Sequence, residues 1–544
     1  WGCIAPMSAK ASGIHCRPAT LTLPDGVVLQ SRLWHPQGNG PWPALLMRQP
    51  YGSRIASTVT CAHPTWWAAQ GFLVVVQDVR GQGESDGRFG GFGQEASDTA
   101  ATHTWIRQLP ECNGRLGCYG FSYQGLTQLT AAESTPAPDC TAPAMTGLDE
   151  RRHWSCEGGA HWWHLGLGWG LQLAALQAQR RGDSAAWMEI RSNLEENRYL
   201  REGPALLQRH DPEGMAWRWL QNDPSNDQQW TVHRPPVSWL QRPMLLIGGW
   251  WDPHLIGLLD LWCRSQAAGG QPSLHIGPAS HLEWWPETQQ LMLRFFQQHL
   301  QDRPPLEPTP ATQLWNVTRR RWDSIDPPID TPEVTVPASW ALRSDALACV
   351  DPSDGALLAD GEGHGSVSIV HDPWRPVPAI GGHLGTTPGP VDRALVDQRN
   401  DVATFTSAPL VEDLLLSGQP LLLLDAQADQ PGFDLCISLS RLPAEAHSVE
   451  QLSTGFLRVL GEEALDTALR SVALQPLQAT LEPGDRLRVS IAAAAWPAIG
   501  VNPGHNSVPC GAPSPEHRVV TLTLKLADST LRLNPFNSGR LKLD

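Results

Sequence analysis

Ser122 lies in the run Gly120, Phe121, Ser122, Tyr123, Gln124, Gly125, between the apolar stretch Leu116 to Tyr119 and a helix-favouring segment that opens with Leu126. A short buried strand entering Gly-X-Ser-X-X-Gly and then a helix thrusts one serine hydroxyl out on a strained turn. Small residues are needed on both sides because the serine backbone is forced close to its neighbours. The common form of this turn has its second glycine two residues after the serine; here Gln124 stands there and Gly125 follows it. A serine hydroxyl is a weak nucleophile alone. It needs a base within hydrogen-bond reach, a carboxylate to orient that base, and donors for the oxyanion. Three further residues supply the required types: Asp252, His281 and Tyr51.

Each of these follows an apolar run of strand length. Asp252 comes after Met244 to Ile247, His281 after Leu274 to Ile276, and Tyr51 after Ala44 to Met47. Catalytic groups in open parallel sheets gather beyond the carboxyl ends of the strands, so these positions are the ones such chemistry requires. The order Ser122, Asp252, His281 is that of α/β hydrolases and differs from the chymotrypsin and subtilisin orders. A phenol at the Tyr51 position can donate to a developing oxyanion, with the backbone N–H of Tyr123 as second donor. The chain has 25 tryptophans and only four tyrosines, and two of the four flank this position.

The runs themselves, with Phe72 to Val76 added, suit strands buried on both faces and therefore a parallel sheet covered by helices. Covering helices are predicted over Ser97 to Leu109, with Ala101, Trp105, Ile106 and Leu109 on one side, and over Glu287 to Leu300. Between Asp149 and Trp230 the strand signal vanishes and a Trp-rich, helix-favouring stretch intervenes. Beyond about residue 335 the pattern becomes period two, as in Leu435, Ile437, Leu439 and in Val520, Leu522, Leu524, Leu526. That alternation, broken by turn signals, favours an antiparallel sandwich of jelly-roll type.

At 544 residues the chain exceeds what one core can serve. The expected division is a core of residues 1–148 and 232–335, an inserted helical cap of 149–231, and a C-terminal jelly roll of 336–544. A formal charge of −15, without a long basic cluster, points away from nucleic acid and from anionic membrane surfaces. Eleven cysteines are scattered singly with no C-x-x-C pair, which fits reduced thiols and a cytoplasmic setting. The N-terminal residues lack a signal-like apolar run, and Met7 is a candidate start.

These residues resemble the cocaine-esterase-like and X-Pro dipeptidyl-peptidase serine hydrolases, the CocE/NonD family. The resemblance is carried by Arg48, Gln49, Pro50, Tyr51; by Gln77, Asp78, Val79, Arg80, Gly81 with Ser85, Gly87 and Phe89; by Trp105, Asn113 and Gly114; and by Gly120 to Gly125. It continues through Gly249, Trp250, Trp251, Asp252, through Gly277, Pro278, Ser280, His281, and into the C-terminal region at Asp372, Pro373 and Asp397 to Asp401. It implies an α/β-hydrolase core, a helical cap inserted after the sixth strand, and a C-terminal jelly roll. It assigns Ser122 as nucleophile, Asp252 and His281 as its relay partners, and Tyr51 with the Tyr123 amide as oxyanion donors. Ser, Tyr, X, Gly is the usual form of the turn in that family. Two departures stand out: Ala279, where tryptophan is common, and Pro253 with His254 after the aspartate.

The resemblance also makes Trp154 and Trp169 an acyl-pocket wall, to which Trp162 and Trp163 add aromatic surface, and Trp251 beside Asp252 is a further substrate-binding candidate. Aromatic walls bury an acyl or aryl group at low entropic cost. The substrate expected is a small-molecule ester, an amide or a short peptide, hydrolysed without cofactor or metal; association with further copies of the chain stays open. A dipeptidyl-peptidase would also need an anionic site for a free amino terminus, for which Asp149, Glu150 and Glu157 are the nearest candidates. A third reading is a non-catalytic binding protein on the same scaffold. Gly81 to Gly87 is a poor dinucleotide loop because Asp86 stands where the last glycine should fall. His161 and His164, three apart, lack a further metal ligand nearby in sequence.

Overall fold

The computed structural model describes residues 13–54, 60–305, 310–325, 339–507 and 509–536. Its first half is built on strands β1 (His15–Thr22), β2 (Val28–His35), β3 (Trp42–Gln49), β4 (Leu73–Asp78), β5 (Cys112–Phe121) and β6 (Cys140–Ala144). A small hairpin, β7 (Cys156–Glu157) and β8 (Ala160–His161), precedes β9 (Leu245–Trp251), β10 (Ser273–Ser280), β11 (Thr312–Asn316) and β12 (Arg321–Ser324). Apart from the hairpin, these form one sheet in the order β1-β2-β4-β3-β5-β6-β9-β10-β11-β12. From β4 to β11 the strands are parallel, and the two edges, β1-β2 and β12, are antiparallel additions.

Alternate side chains of the central strands enter different cores. Leu45, Met47, Val74 and Val76 pack under α1 (Pro64–Ala69), while Ala44, Leu46, Leu73 and Val75 face α2 (Glu95–Gln108). The short α3 (Tyr123–Leu126) follows β5. The segment between β6 and β9 carries α4 (Trp163–Arg181), α5 (Ser184–Glu195), α6 (Tyr199–His210), α7 (Met215–Gln221) and the single turn α8 (Val237–Leu240). Helix α9 (Leu255–Ala267) lies on the α3 side of the sheet, and α10 (Thr288–Leu300) joins α1 on the other. Helices α4 to α7 hold a core of their own from Trp163, Leu167, Leu171, Ile190, Leu206 and Leu207. Burying one apolar stripe of each against the others is what stabilises such a cap.

One sequence expectation needs correction, and one strand had no signal in the sequence. The buried face of α2 is largely polar, comprising Glu95, Asp98, Thr99, Thr102 and His103 beside Ile106, because this helix covers a buried ion pair rather than apolar surface alone. Strand β6, Cys-Thr-Ala-Pro-Ala, has no branched apolar run, yet it is fully buried between β5 and β9, where its ladder partners satisfy its backbone.

From Trp340 onward the described residues form a mainly β domain, an eleven-stranded jelly roll with only short helical turns at Ala394–Asp397 and Glu462–Ala464, whose longest strands, Leu414–Ala428 and Val520–Pro535, pair antiparallel. Val520, Leu522, Leu524 and Leu526 alternate into its core as the period-two pattern predicts. The strand Gly432–Leu442 is instead buried on both faces for most of its length, since its outer face is covered by Val377, Leu384 and Val396. Among the described residues no helix is long and apolar enough to cross a membrane.

Candidate active site

Ser122 occupies the bend between β5 and α3 with φ 59° and ψ −124°, a conformation that costs a non-glycine residue roughly 1–3 kcal/mol. The surroundings hold it there. Its N–H is shared between the carbonyls of Ala144 (3.0 Å) and Met145 (3.1 Å), and its own carbonyl accepts from Thr146 Oγ1 at 2.9 Å. Gly120 enters the turn at φ 131°, where a side chain would be strained and would strike Gln124. A Cβ on Gly125 would come within 2.7 Å of Thr146, so the glycine one position later than usual is what lets α3 approach β6. Gln124 itself accepts from the Phe121 N–H at 3.3 Å.

Asp252 and His281 leave the ends of β9 and β10, which are paired as far as Trp251 and Ser280. Gly249 lies so close to the carbonyl of Ala279 that no side chain fits between the strands there. This brings the buried Asp252 Oδ1 to 2.7 Å from His281 Nδ1, which donates to it. His281, one-fifth exposed, rests on the ring of Phe121, the residue before Ser122, at 5.2 Å. Among the described residues no hydrogen bond joins Ser122 Oγ to His281 Nε2. Such contacts are often long before substrate is bound. The residue departing from the family pattern, Ala279, is buried in the core, and the ring wall beside His281 comes from Phe121 and Trp284.

Tyr51 lies at the end of β3, and its hydroxyl oxygen accepts from Trp169 Nε1 at 3.1 Å. With that lone pair engaged, the phenolic proton is free to point elsewhere. Burial pushes the Tyr51 hydroxyl up to about 12, the Trp169 bond acting in the opposite sense, so it remains a donor throughout the neutral range. The Tyr123 N–H, first in α3, has no intrahelical acceptor. The Tyr123 side chain points away, to Glu95 Oε1 at 2.7 Å, and Glu95 is itself paired with Arg48 at 2.9 Å, both fully buried. Arg48 also donates to Gln77 and Thr99. None of this polar scaffold beneath the two tyrosines was singled out as functional in the sequence; the only trace was Arg48 and Gln77 within the quoted motifs.

The tryptophans divide. Trp169 stacks on Trp219 and lies 6.1 Å from Trp154, which is buried against Phe92 and His254. Trp251 is half-buried at the edge of the same cluster. Trp163 packs the cap's own core, and Trp162 lies in the cluster shared with the jelly roll. Gly81 to Gly87 wraps the buried Asp78, which accepts from the N–H groups of Ser53 and Glu84; Gly83 stands against that carboxylate and Gly81 against Phe89. Those glycines therefore serve close packing. His161 and His164 are each engaged by a backbone carbonyl, of Trp219 and Leu384 respectively. One contribution had no sequence signal: Gln475 of the jelly roll donates to the carbonyl of Asp252 at 2.8 Å.

The sequence profile of the X-Pro dipeptidyl-peptidase (S15) family matches residues 25–283, and that of the X-Pro dipeptidyl-peptidase C-terminal non-catalytic domain matches residues 307–531. The chain belongs to the cocaine-esterase-like and X-Pro dipeptidyl-peptidase-like (CocE/NonD) serine hydrolases. Within this family, it is similar to cocaine esterase of a Rhodococcus species, 26% identical over 534 residues that cover 88% of this chain and 90% of the relative. An aminopeptidase from a marine sediment Thaumarchaeota archaeon superposes with a TM-score of 0.70 at 20% identity, covering 96% of each chain. A CocE/NonD family hydrolase of Staphylococcus aureus does so with a TM-score of 0.66 at 16% identity, again over 96% of each chain. The two structural likenesses bear on fold; the family places the chain among serine hydrolases.

Proposed function

We propose that this serine hydrolase cleaves carboxylic esters through an acyl-enzyme, with Ser122 as nucleophile, His281 as general base and then acid, and Asp252 as the group that orients the imidazole. The observation that carries this reading is the 2.7 Å bond from His281 Nδ1 to the fully buried Asp252. It fixes the tautomer that leaves Nε2 free to take the serine proton. Tyr51 and the Tyr123 amide are the oxyanion donors, and Trp154, Trp169 and Trp251 wall the acyl portion under the 149–231 cap. Water completes turnover once the alcohol has left with the proton His281 returns.

Support for an ester over an Xaa-Pro peptide comes from the cap carboxylates. Glu150 is taken by His233 (3.0 Å) and Trp219 Nε1 (2.8 Å), Glu157 by His383 (2.6 Å), and Asp149 by the N–H groups of Arg151 and Arg152. A free amino terminus would find each of these already engaged. The test is a panel of aryl and alkyl acyl esters, amides and Gly-Pro anilide with purified protein. Esters should turn over fastest, and a fluorophosphonate probe should label the protein but not its Ser122→Ala variant. Preference for Gly-Pro anilide would favour the dipeptidyl-peptidase, and labelling that survives Ser122→Ala would remove the nucleophile from Ser122.

A further inference from the structure

His254, with Pro253, is where this chain departs from its family after the aspartate, and its environment is unusual. Its Nδ1 lies 2.7 Å from the carbonyl of His153. A carbonyl only accepts, so Nδ1 carries the hydrogen and the neutral ring presents a bare lone pair at Nε2. Among the described residues nothing donates to that nitrogen. The ring is clamped by Trp154 (4.4 Å between centroids) and Trp162 (5.6 Å), and lies 4.9 Å from the ring of His281. Its backbone N–H, meanwhile, is bonded to Asp252 Oδ2 at 3.2 Å. One donor atom each from Asp252, His254 and His281 thus falls within 4.8 Å of the others.

Two imidazoles and one carboxylate are the donor set of zinc-class ions, and three protein ligands with one open position are a complete set for such an ion. Tetrahedral bonds near 2.0 Å need ligand atoms about 3.3 Å apart, so the cluster must close by no more than about 1.5 Å. His281, just past the end of β10 and the most exposed of the three, is the ring that would turn to make that adjustment, giving up its present bond to Asp252. We propose that Asp252, His254 and His281 form a binding site for a zinc-class divalent cation, and that its occupancy silences Ser122. Coordination through His281 Nε2 takes the lone pair that would accept the serine proton. Coordination through Nδ1 breaks the bond to Asp252 and moves that nitrogen's proton to Nε2, where it occupies the lone pair the serine proton would need. Either way the base is withdrawn.

The silencing rests on the proposed function; the binding stands on the cluster alone, and the experiment separates them. Zinc is titrated calorimetrically into the full-length Ser122→Ala protein, with magnesium as the hard-cation control. One site is expected, weakened on the order of 10²-fold or more by adding His254→Phe, since even outer-shell partners of a metal are worth 10–100-fold. Should circular dichroism show the phenylalanine variant unfolded, His281→Ala replaces it with the same expectation. Equal zinc affinity with and without the substitution, no measurable binding, or equal binding of magnesium would overturn the site. Ester hydrolysis by the unsubstituted protein should be lost in zinc and restored by a chelator. Full activity with zinc bound would overturn the silencing, whereas inactivity in metal-free buffer would count against the hydrolase reading and leave the zinc isotherm untouched.

Discussion

Tyr51 is placed so that its oxygen accepts one hydrogen bond and its own proton remains to donate. The Trp169 indole supplies the first, at 3.1 Å, and burial keeps the phenol protonated up to about 12. If the hydroxyl stabilises the oxyanion, Tyr51→Phe should slow acylation by ~10²-fold, or about 2.7 kcal/mol, with little change in KM. An unaltered acylation rate would reduce the side chain to packing. On the proposed reading Trp169 would then be a positioning residue for the phenol as well as a wall for the acyl group. Trp169→Phe keeps an aromatic wall but loses the indole donor, and should lower kcat by roughly fivefold, the worth of about one hydrogen bond. In a Tyr51→Phe background the same substitution should lose most of that effect. Additive losses in the double variant would show that the indole acts through the pocket wall alone.

At the level of elements, β3, α2 and α3 are joined by a polar contact in the interior. Arg48 at the end of β3 pairs with Glu95 at the start of α2, and Glu95 accepts from the Tyr123 hydroxyl of α3. Removing one partner strands a buried charge, which costs more than the intact pair contributes. Glu95→Ala should therefore destabilise the protein by about 3–5 kcal/mol in urea unfolding. A loss below about 1 kcal/mol would mean that water reaches the Arg48 guanidinium in the variant. Periodicity could not have exposed this contact, because a helix that buries Glu95, Asp98, Thr99 and Thr102 reads as a weak amphipath in which Ala101, Trp105 and Leu109 attract attention. The β9 and β10 runs were legible for the opposite reason. They are continuous apolar segments, buried on both faces, that run on into the strand glycines Gly248, Gly249 and Gly277.

For the whole molecule, burial of neutral histidines sets the response to acid. Desolvation depresses His103 to about 3 and His161 and His275 to about 4, each far below the ordinary value of 6.5. Between those values and about pH 6.5 the unfolded chain binds protons that the folded one refuses, so stability rises with pH across that window and falls as pH drops through it. Each histidine adds up to about 1.4 kcal/mol per pH unit to that slope. The urea midpoint should be flat above pH 7 and fall steeply from pH 6 to 5. A midpoint independent of pH over that range would show that these rings remain accessible to protons. The jelly roll belongs to the same unit as the hydrolase core, since Gln475 reaches the Asp252 carbonyl and Gln478 accepts from Val317 N–H at 2.9 Å.

By itself the sequence determined the class of chemistry and the frame that carries it. A serine between glycines after an apolar run, and an aspartate and a histidine each just past another such run, are local patterns, and local sterics and burial make them readable without coordinates. The tertiary structure alone decided what those groups touch. That Trp169 donates to Tyr51, that cap carboxylates are already paired, that Asp252 is steadied by a glutamine over two hundred residues away, and that the His254 ring is held by the His153 carbonyl 4.9 Å from the His281 ring are all contacts between distant segments. Their directions follow from how the sheet, the cap and the jelly roll pack together, and no spacing along the chain encodes them.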